Sequence, residues 1–246
     1  MLIIKPFIFK RFPEIVFGFS TKIGPNAKPP YYFNLSFSVD DNKEIVDSNR
    51  ALFFNELGLN EKMLSYQKQV HEDKINTVSS FGSCGESDAL ITRKKNLGLA
   101  ISSADCPAIF IYDPVQKVIA AVHSGWRGTE KKILRKTIQK LKTDFNSDAS
   151  NLICYIGPSI SQKNYEVQEE VAAKFDSEFV VKYENKFYLN VSGANFKMLT
   201  DEGVKEVNIQ VSGLCTYEYE KLLHSYRRDG QKSGRALGII AMKEND

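Results

Sequence analysis

Three short apolar segments follow one another between Leu97 and Thr129, and they constrain the fold more than any other stretch of the chain. Residues 97–102, 107–112 and 117–122 have the length and β-branched content of strands buried on both faces. Between the second and third lies Asp113-Pro114-Val115-Gln116, with the Asp and Pro positions of a type I turn, which predicts a hairpin. A register centred on that turn sets Cys106 opposite His123, with Cβ atoms roughly 4.5–5.5 Å apart. A thiolate and an imidazole so placed can share one metal ion or one proton. A cysteine in such a strand is equally a small buried hydrophobe, and periodicity alone leaves both readings open.

The 246 residues suffice for a substantial core, and 42% hydrophobic with 26% charged residues describes an ordinary soluble globular protein. A net charge of +3 demands neither a nucleic acid nor a membrane partner. Lys5, Pro6, Lys10 and Arg11 interrupt the apolar amino terminus before a signal-peptide core forms, and no apolar stretch approaches the roughly 20 residues of a membrane helix. Cys84, Cys106, Cys154 and Cys215 are widely spaced, without a CxxC pair, so neither a disulfide framework nor a local zinc knuckle is indicated. A reducing cytoplasm is the expected home.

Along the chain, residues 15–19 read as a strand, 21–32 as a Pro-rich loop and 34–37 as a short strand in which Asn34 is a turn residue or a functional amide. Asp41 is expected to cap a helix to about Leu57, with Ile45, Asn49, Leu52, Phe53 and Leu57 on its apolar face and Arg50 beside it, facing a cleft or solvent. A strand over 63–70 delivers His71, which is either a third ligand or acid/base group or a surface residue of the polar run 71–74. Residues 81–86 read as loop, 89–92 as a strand introduced by Asp88, and 124–128 as a tight glycine loop feeding a helix to about Leu141. That loop offers backbone N–H groups and Arg127 to an anion, or simply connects strand to helix. A strand over 152–156, a helix over 167–175, a strand over 187–191, a Ser192-capped helix and strands over 206–211 and 237–242 complete an α/β chain without linker or repeat. Four cations between Arg227 and Arg235 form either an anion site or a solvated, salt-bridged loop.

Three chemistries fit these residues. His71, Cys106 and His123 number the three protein ligands of a catalytic zinc site. Copper accepts the same donors, but three histidines in the whole chain cannot also furnish a multinuclear oxygen-reducing cluster, so one metal ion is the limit. A metal-free cysteine hydrolase would use Cys106 as nucleophile and His123 as base, with Asp105 as the orienting group although a regular strand turns it to the opposite face. A scaffold that only binds partners is the fallback.

The segments Gln69-Val70-His71, Ser103-Ala104-Asp105-Cys106-Pro107, His123-Ser124-Gly125-Trp126-Arg127-Gly128-Thr129 and Ser225-Tyr226-Arg227-Arg228-Asp229-Gly230, with Gly234-Arg235, resemble the laccase-domain family, also called YfiH-like or multicopper polyphenol oxidase. Gly18-Phe19-Ser20-Thr21, Asn34-Leu35 and Asn49-Arg50 extend the resemblance over nearly the whole chain. It implies a four-layer α/β/β/α sandwich with mixed sheets, in one domain over residues 1–246, and a single zinc, replaceable by copper, on His71, Cys106 and His123. It also implies phosphorolysis of adenosine, inosine and 5'-methylthioadenosine together with adenosine deamination. Amidase editing of peptidoglycan precursors and a copper polyphenol oxidase are the alternatives. Nucleoside and phosphate are the expected partners of a cytoplasmic monomer. Arg50 or Arg127 is expected to hold phosphate, and Asn34 and Asp105 to contact ribose, base or a ligand histidine. Lys22 stands where the family often shows arginine.

Overall fold

The computed structural model describes residues 1–25 and 27–244; Asn26, inside the loop expected over 21–32, and residues 245–246 lie outside the described residues. Its first strands are β1 (Ile3–Ile4), β2 (Ile15–Ser20), β3 (Leu64–Lys68), β4 (Ile75–Thr77), β5 (Gly82–Glu86) and β6 (Ala89–Thr92). The central three, β7 (Gly98–Ser103), β8 (Ala108–Asp113) and β9 (Val118–His123), each lie one residue beyond the expected bounds. They are followed by β10 (Ile153–Ile156), β11 (Glu166–Val167), β12 (Val180–Tyr183), β13 (Lys186–Leu189), β14 (Ile209–Val211) and β15 (Ala236–Met242). The helices are α1 (Lys43–Glu56), α2 (Trp126–Glu130), α3 (Ile133–Phe145), α4 (Glu169–Ala172), α5 (Val191–Asp201) and α6 (Tyr226–Asp229).

Among the described residues these strands form two six-stranded mixed sheets, ordered β1-β2-β15-β7-β3-β5 and β14-β10-β8-β9-β6-β4, and a three-stranded sheet β11-β13-β12. The alternation of side chains along each strand builds the layers. Leu99 and Ile101 of β7 meet Phe110 and Tyr112 of β8 between the sheets, while Ala100 of β7 turns to the opposite face, against Phe53 and Phe54 of α1. On the far side of the second sheet, Ile109 and Ile111 pack with Ile133, Leu134, Ile138 and Leu141 of α3 and Leu199 of α5. The result is the expected four-layer α/β/β/α sandwich. Close packing between the sheets requires Gly238 in β15, where a Cβ would lie 2.3 Å from Phe110.

Several local expectations change. The hairpin closes on Asp113 paired with Val118, so Ala108 faces His123 and Cys106 does not. Asp113 Oδ1 accepts the N–H groups of Val115 and Gln116, and Lys117 then enters the left-handed region at φ 50°, which moves the turn one residue along the chain. The register therefore shifts by two, and a shift of two keeps every side chain on its original face. Asn42, not Asp41, caps α1. The buried face of α1 carries Val46, Asn49, Arg50, Phe53 and Phe54, whereas Ile45 and Leu52 are exposed. Residues 34–37 form no strand, while residues 82–86 do, pairing in parallel with β3. The helix expected to run to Leu141 is broken at Lys132, whose φ of 60° separates α2 from α3. The helix expected over 167–175 contracts to α4, and Asn190, not Ser192, caps α5.

A candidate metal centre in an arginine-walled pocket

The ends of β3, β7 and β9 meet at one pocket of about 690 Å³, within the range of small-molecule sites. Gln69 fixes the end of β3: its amide donates to the Ser102 carbonyl and accepts from the Ser102 N–H, at 2.9 and 2.8 Å, continuing by side chain a strand pairing that stops at Ser65 and Leu99. Two residues on, His71 turns into the pocket with φ 60°.

Asp88 accounts for that conformation. Its buried carboxylate accepts the consecutive N–H groups of Val70, His71 and Glu72 at 2.9–3.0 Å, and its Oδ1 lies 2.8 Å from His123 Nδ1. One carboxylate thus sets the loop that carries His71 and the ring of His123. Burial alone would raise the Asp88 pKa, but these donors hold it below the usual carboxylate value. Asp105, expected as the orienting group, does not reach His123. Its Oδ1 accepts the Thr216 hydroxyl and its Oδ2 the Arg227 N–H, both at 2.6 Å.

Cys106 reaches the histidines in spite of the altered register because the shift preserves its face. The position across the hairpin is Gly125, where a Cβ would lie 2.7 Å from Cys106 Sγ, so the thiol occupies the space a side chain would fill. One donor atom each from His71, Cys106 and His123 lies within 4.8 Å of the others, and the two imidazoles meet edge to face. Burial alone would push the Cys106 thiol up; the neighbouring His123 and His71 bring it down to about 6. Burial likewise opposes charge on His123, and the thiolate with Asp88 raises it to about 9. With Nδ1 committed to Asp88, His123 keeps Nε2 for a metal, the carboxylate–histidine support typical of metal sites. The donor set therefore fits one metal ion. His224 is buried elsewhere against the Phe33 carbonyl and pushed down to about 3 by burial, apart from this cluster.

Of the residues expected to bind substrate, Arg127 and Asp105 line the pocket and Asn34 and Arg50 do not. Asn34 is fully buried, its amide tying Ser36, Asp41 and Arg235 together. Arg50 faces neither solvent nor this pocket; it is buried on the Leu35 carbonyl and Glu61, among Phe37, Phe54 and Tyr66. Sequence reasoning missed Asp88, Gln67 and the pocket positions of Arg227 and Arg235. The signal for Asp88 was its place one residue before β6, since Ala89 pairs with Val122 and so brings Asp88 beside His123. Ser124 of the glycine loop is bound to Thr129 and Asn195 in a buried polar cluster, which locks that loop to α5. A second concavity, of about 670 Å³ around Phe7, Arg11 and Val207, brings no histidine, cysteine or carboxylate together.

A mixed sandwich with a His-Cys-His cluster at its strand ends matches a family model described as multi-copper polyphenol oxidoreductase laccase over residues 16–243, and the chain belongs to that family. Its relatives include purine nucleoside phosphorylase YlmD of Bacillus subtilis, 30% identical over 94% of this chain and 90% of that protein. A protein of Clostridium acetobutylicum, also named purine nucleoside phosphorylase, is 36% identical over 75% of this chain and 79% of its own. The crystal structure of YlmD from Geobacillus stearothermophilus superimposes with a TM-score of 0.91 at 28% identity, covering 96% of this chain and 94% of that one. Among the described residues no helix is long and apolar enough to cross a membrane.

Proposed function

We propose that the chain is a zinc-dependent purine nucleoside phosphorylase acting on adenosine, inosine and 5'-methylthioadenosine, with adenosine deaminase activity, and that it works as a single-domain cytoplasmic monomer. The observation that carries this reading is the convergence of His71, Cys106 and His123 in a pocket large enough for a nucleoside and walled by arginines. The curated relatives named purine nucleoside phosphorylase support it. The single-domain reading draws support from the first sheet, which interleaves β2 and β15 from opposite ends of the chain.

Three protein donors are the number a catalytic zinc site uses, and His71, Cys106 and His123 would hold the ion. Bound there, zinc supplies a Lewis acid that makes water nucleophilic near neutral pH, as deamination at C6 of adenosine requires. Asp88 fixes the two histidines, and Asp105 fixes the segment before Cys106 to that of Arg227. Gln67 lines the pocket with both amide atoms buried and unpartnered, a donor and acceptor pair suited to a purine edge. In phosphorolysis the phosphate oxygen bonds to C1' of the ribose as the C1'–N9 bond breaks and its electron pair leaves with the purine. Arg127 is the pocket residue that the sequence offers for phosphate charge.

Product analysis tests the proposal: protein of known metal content is incubated with adenosine, with and without phosphate. Phosphate-dependent adenine and ribose-1-phosphate, with inosine beside them, are expected; unchanged nucleoside under every condition contradicts the reading. One arrangement favours a second reading. Cys106, His123 and Asp88 stand in the order nucleophile, base and orienter of a cysteine hydrolase, and an amidase acting on peptidoglycan precursors would use them without metal. A multicopper oxidase is disfavoured because this pocket holds two of the chain's three histidines.

A further inference from the structure

We propose that Arg227 and Arg235, with Arg127, form an oxyanion subsite for inorganic phosphate facing the metal centre; this rests on the phosphorylase reading and names the residues that would hold its second substrate. All three arginines line the pocket that contains Cys106. Among the described residues none of them has a carboxylate within ion-pair distance, whereas Arg50 and Arg228 each have one and Arg135 has two. Each guanidinium instead rests over an aromatic ring that also lines the pocket: Arg127 over Trp126 at 4.4 Å, Arg227 over Tyr165 at 5.1 Å and Arg235 over Tyr226 at 5.3 Å. A ring face orients a guanidinium and leaves its N–H edge open for an anion.

Backbone carbonyls complete the positioning while using few donors. Arg227 Nη1 donates to the Glu166 carbonyl at 2.7 Å, and Arg235 Nη1 to the Ser233 and Gly234 carbonyls at 2.6 and 3.2 Å. Asp105, the carboxylate on the pocket wall, accepts from Thr216 and the Arg227 N–H, and its single negative charge against three arginines leaves the wall net positive. The same bond ties the Arg227 segment to the residue before Cys106. Tyr165 lies within electrostatic reach of both Arg127 and Arg227, and Arg235 within reach of Cys106 and Asp105, so the three cations share one field with the metal donors. Arg235 is half-buried, and a half-buried guanidinium without a counter-charge is costly, a cost that a bound anion offsets; Arg127 and Arg227 are exposed at the pocket mouth and add charge there. Several forked cations match a phosphate that carries up to two charges and accepts bidentate bonds, and exceed what one carboxylate needs.

Calorimetric titration of inorganic phosphate into the metal-loaded protein, followed by phosphate KM measurements, tests this. Arg227→Gln and Arg235→Gln are expected to weaken phosphate binding and raise phosphate KM about 10- to 100-fold, with nucleoside KM and the thermal transition little changed. Lys68→Gln, which removes a rim cation already paired with Glu86, is expected to leave phosphate binding unchanged. Unaltered phosphate affinity in both arginine variants overturns the subsite. So does a wild-type protein that binds adenosine 5'-monophosphate through these arginines and inorganic phosphate not at all. Phosphate binding that is lost in the variants while the wild type releases no purine keeps the subsite and removes the phosphorylase reading; phosphorolysis with unchanged phosphate KM in the variants does the reverse.

Discussion

The side of the pocket that carries His71, Cys106 and His123 and the side that carries Arg127, Arg227 and Arg235 are held by different means. The candidate metal side hangs on one buried carboxylate, Asp88, which collects three N–H groups and an imidazole. The arginine side is laid over three aromatic rings, with Arg227 anchored to the distant Glu166 carbonyl and Arg235 to carbonyls of its own loop. The difference teaches that a metal site gains rigidity from buried, fully satisfied hydrogen bonds, whereas an anion wall keeps its donors by avoiding carboxylate partners. Asp105, through its bond to the Arg227 N–H, is the direct polar link from the Cys106 segment to that wall.

Removing the carboxylate of the metal side should break this contrast most. Asp88→Ala leaves three clustered N–H groups without their acceptor and His123 without its orienter, and is expected to destabilise the fold by about 3–5 kcal/mol and to weaken zinc binding about 10- to 100-fold. Chemical denaturation and a chelator competition read the two effects; a variant with wild-type zinc affinity would show that Asp88 does not organise the site. A packing change away from the pocket should separate stability from metal binding. Gly238→Ala places a Cβ 2.3 Å from Phe110 between the sheets and is expected to cost about 1–3 kcal/mol with zinc stoichiometry retained. Concurrent loss of zinc would instead couple the inter-sheet core to the metal side.

The smallest effect lies at the opposite end of the central hairpin. Burial alone would raise the Glu14 pKa, but bonds from Lys117 and Tyr112 hold it at about 2, below the 4.5 of a free glutamate. A carboxyl depressed in the folded state contributes stability that is complete above the unfolded pKa and is lost as pH falls from about 4.5 toward 2. Denaturation midpoints across that window should fall less steeply for Glu14→Gln than for the wild type. Equal slopes would remove Glu14 from the acid response.

How much of this was legible in the sequence follows from the same contrast. The three candidate metal donors sit at or just beyond the ends of recognisable strands, and even a hairpin register wrong by two kept Cys106 and His123 on one face. Asp88 was read only as the residue before a strand, because its work depends on β6 pairing with β9 and on a loop folded around it. Arg50 stood next to the apolar stripe of α1, and the one-residue rotation of that face, which exposed Ile45 and buried Val46, carried it inside. Arg227 and Arg235 were visible as charge, but their freedom from ion pairs is a tertiary fact that spacing does not encode. The break at Lys132 was hidden because lysine is an ordinary helix former and only packing imposes its left-handed conformation.

The central claim is that Cys106, His71 and His123 together hold one metal ion, and metal content after equilibration with zinc tests it most directly. The wild type is expected to retain about one zinc per chain and Cys106→Ala none, with both proteins folded by circular dichroism. Stoichiometric zinc in Cys106→Ala would contradict the ligand set and the account of the pocket built on it.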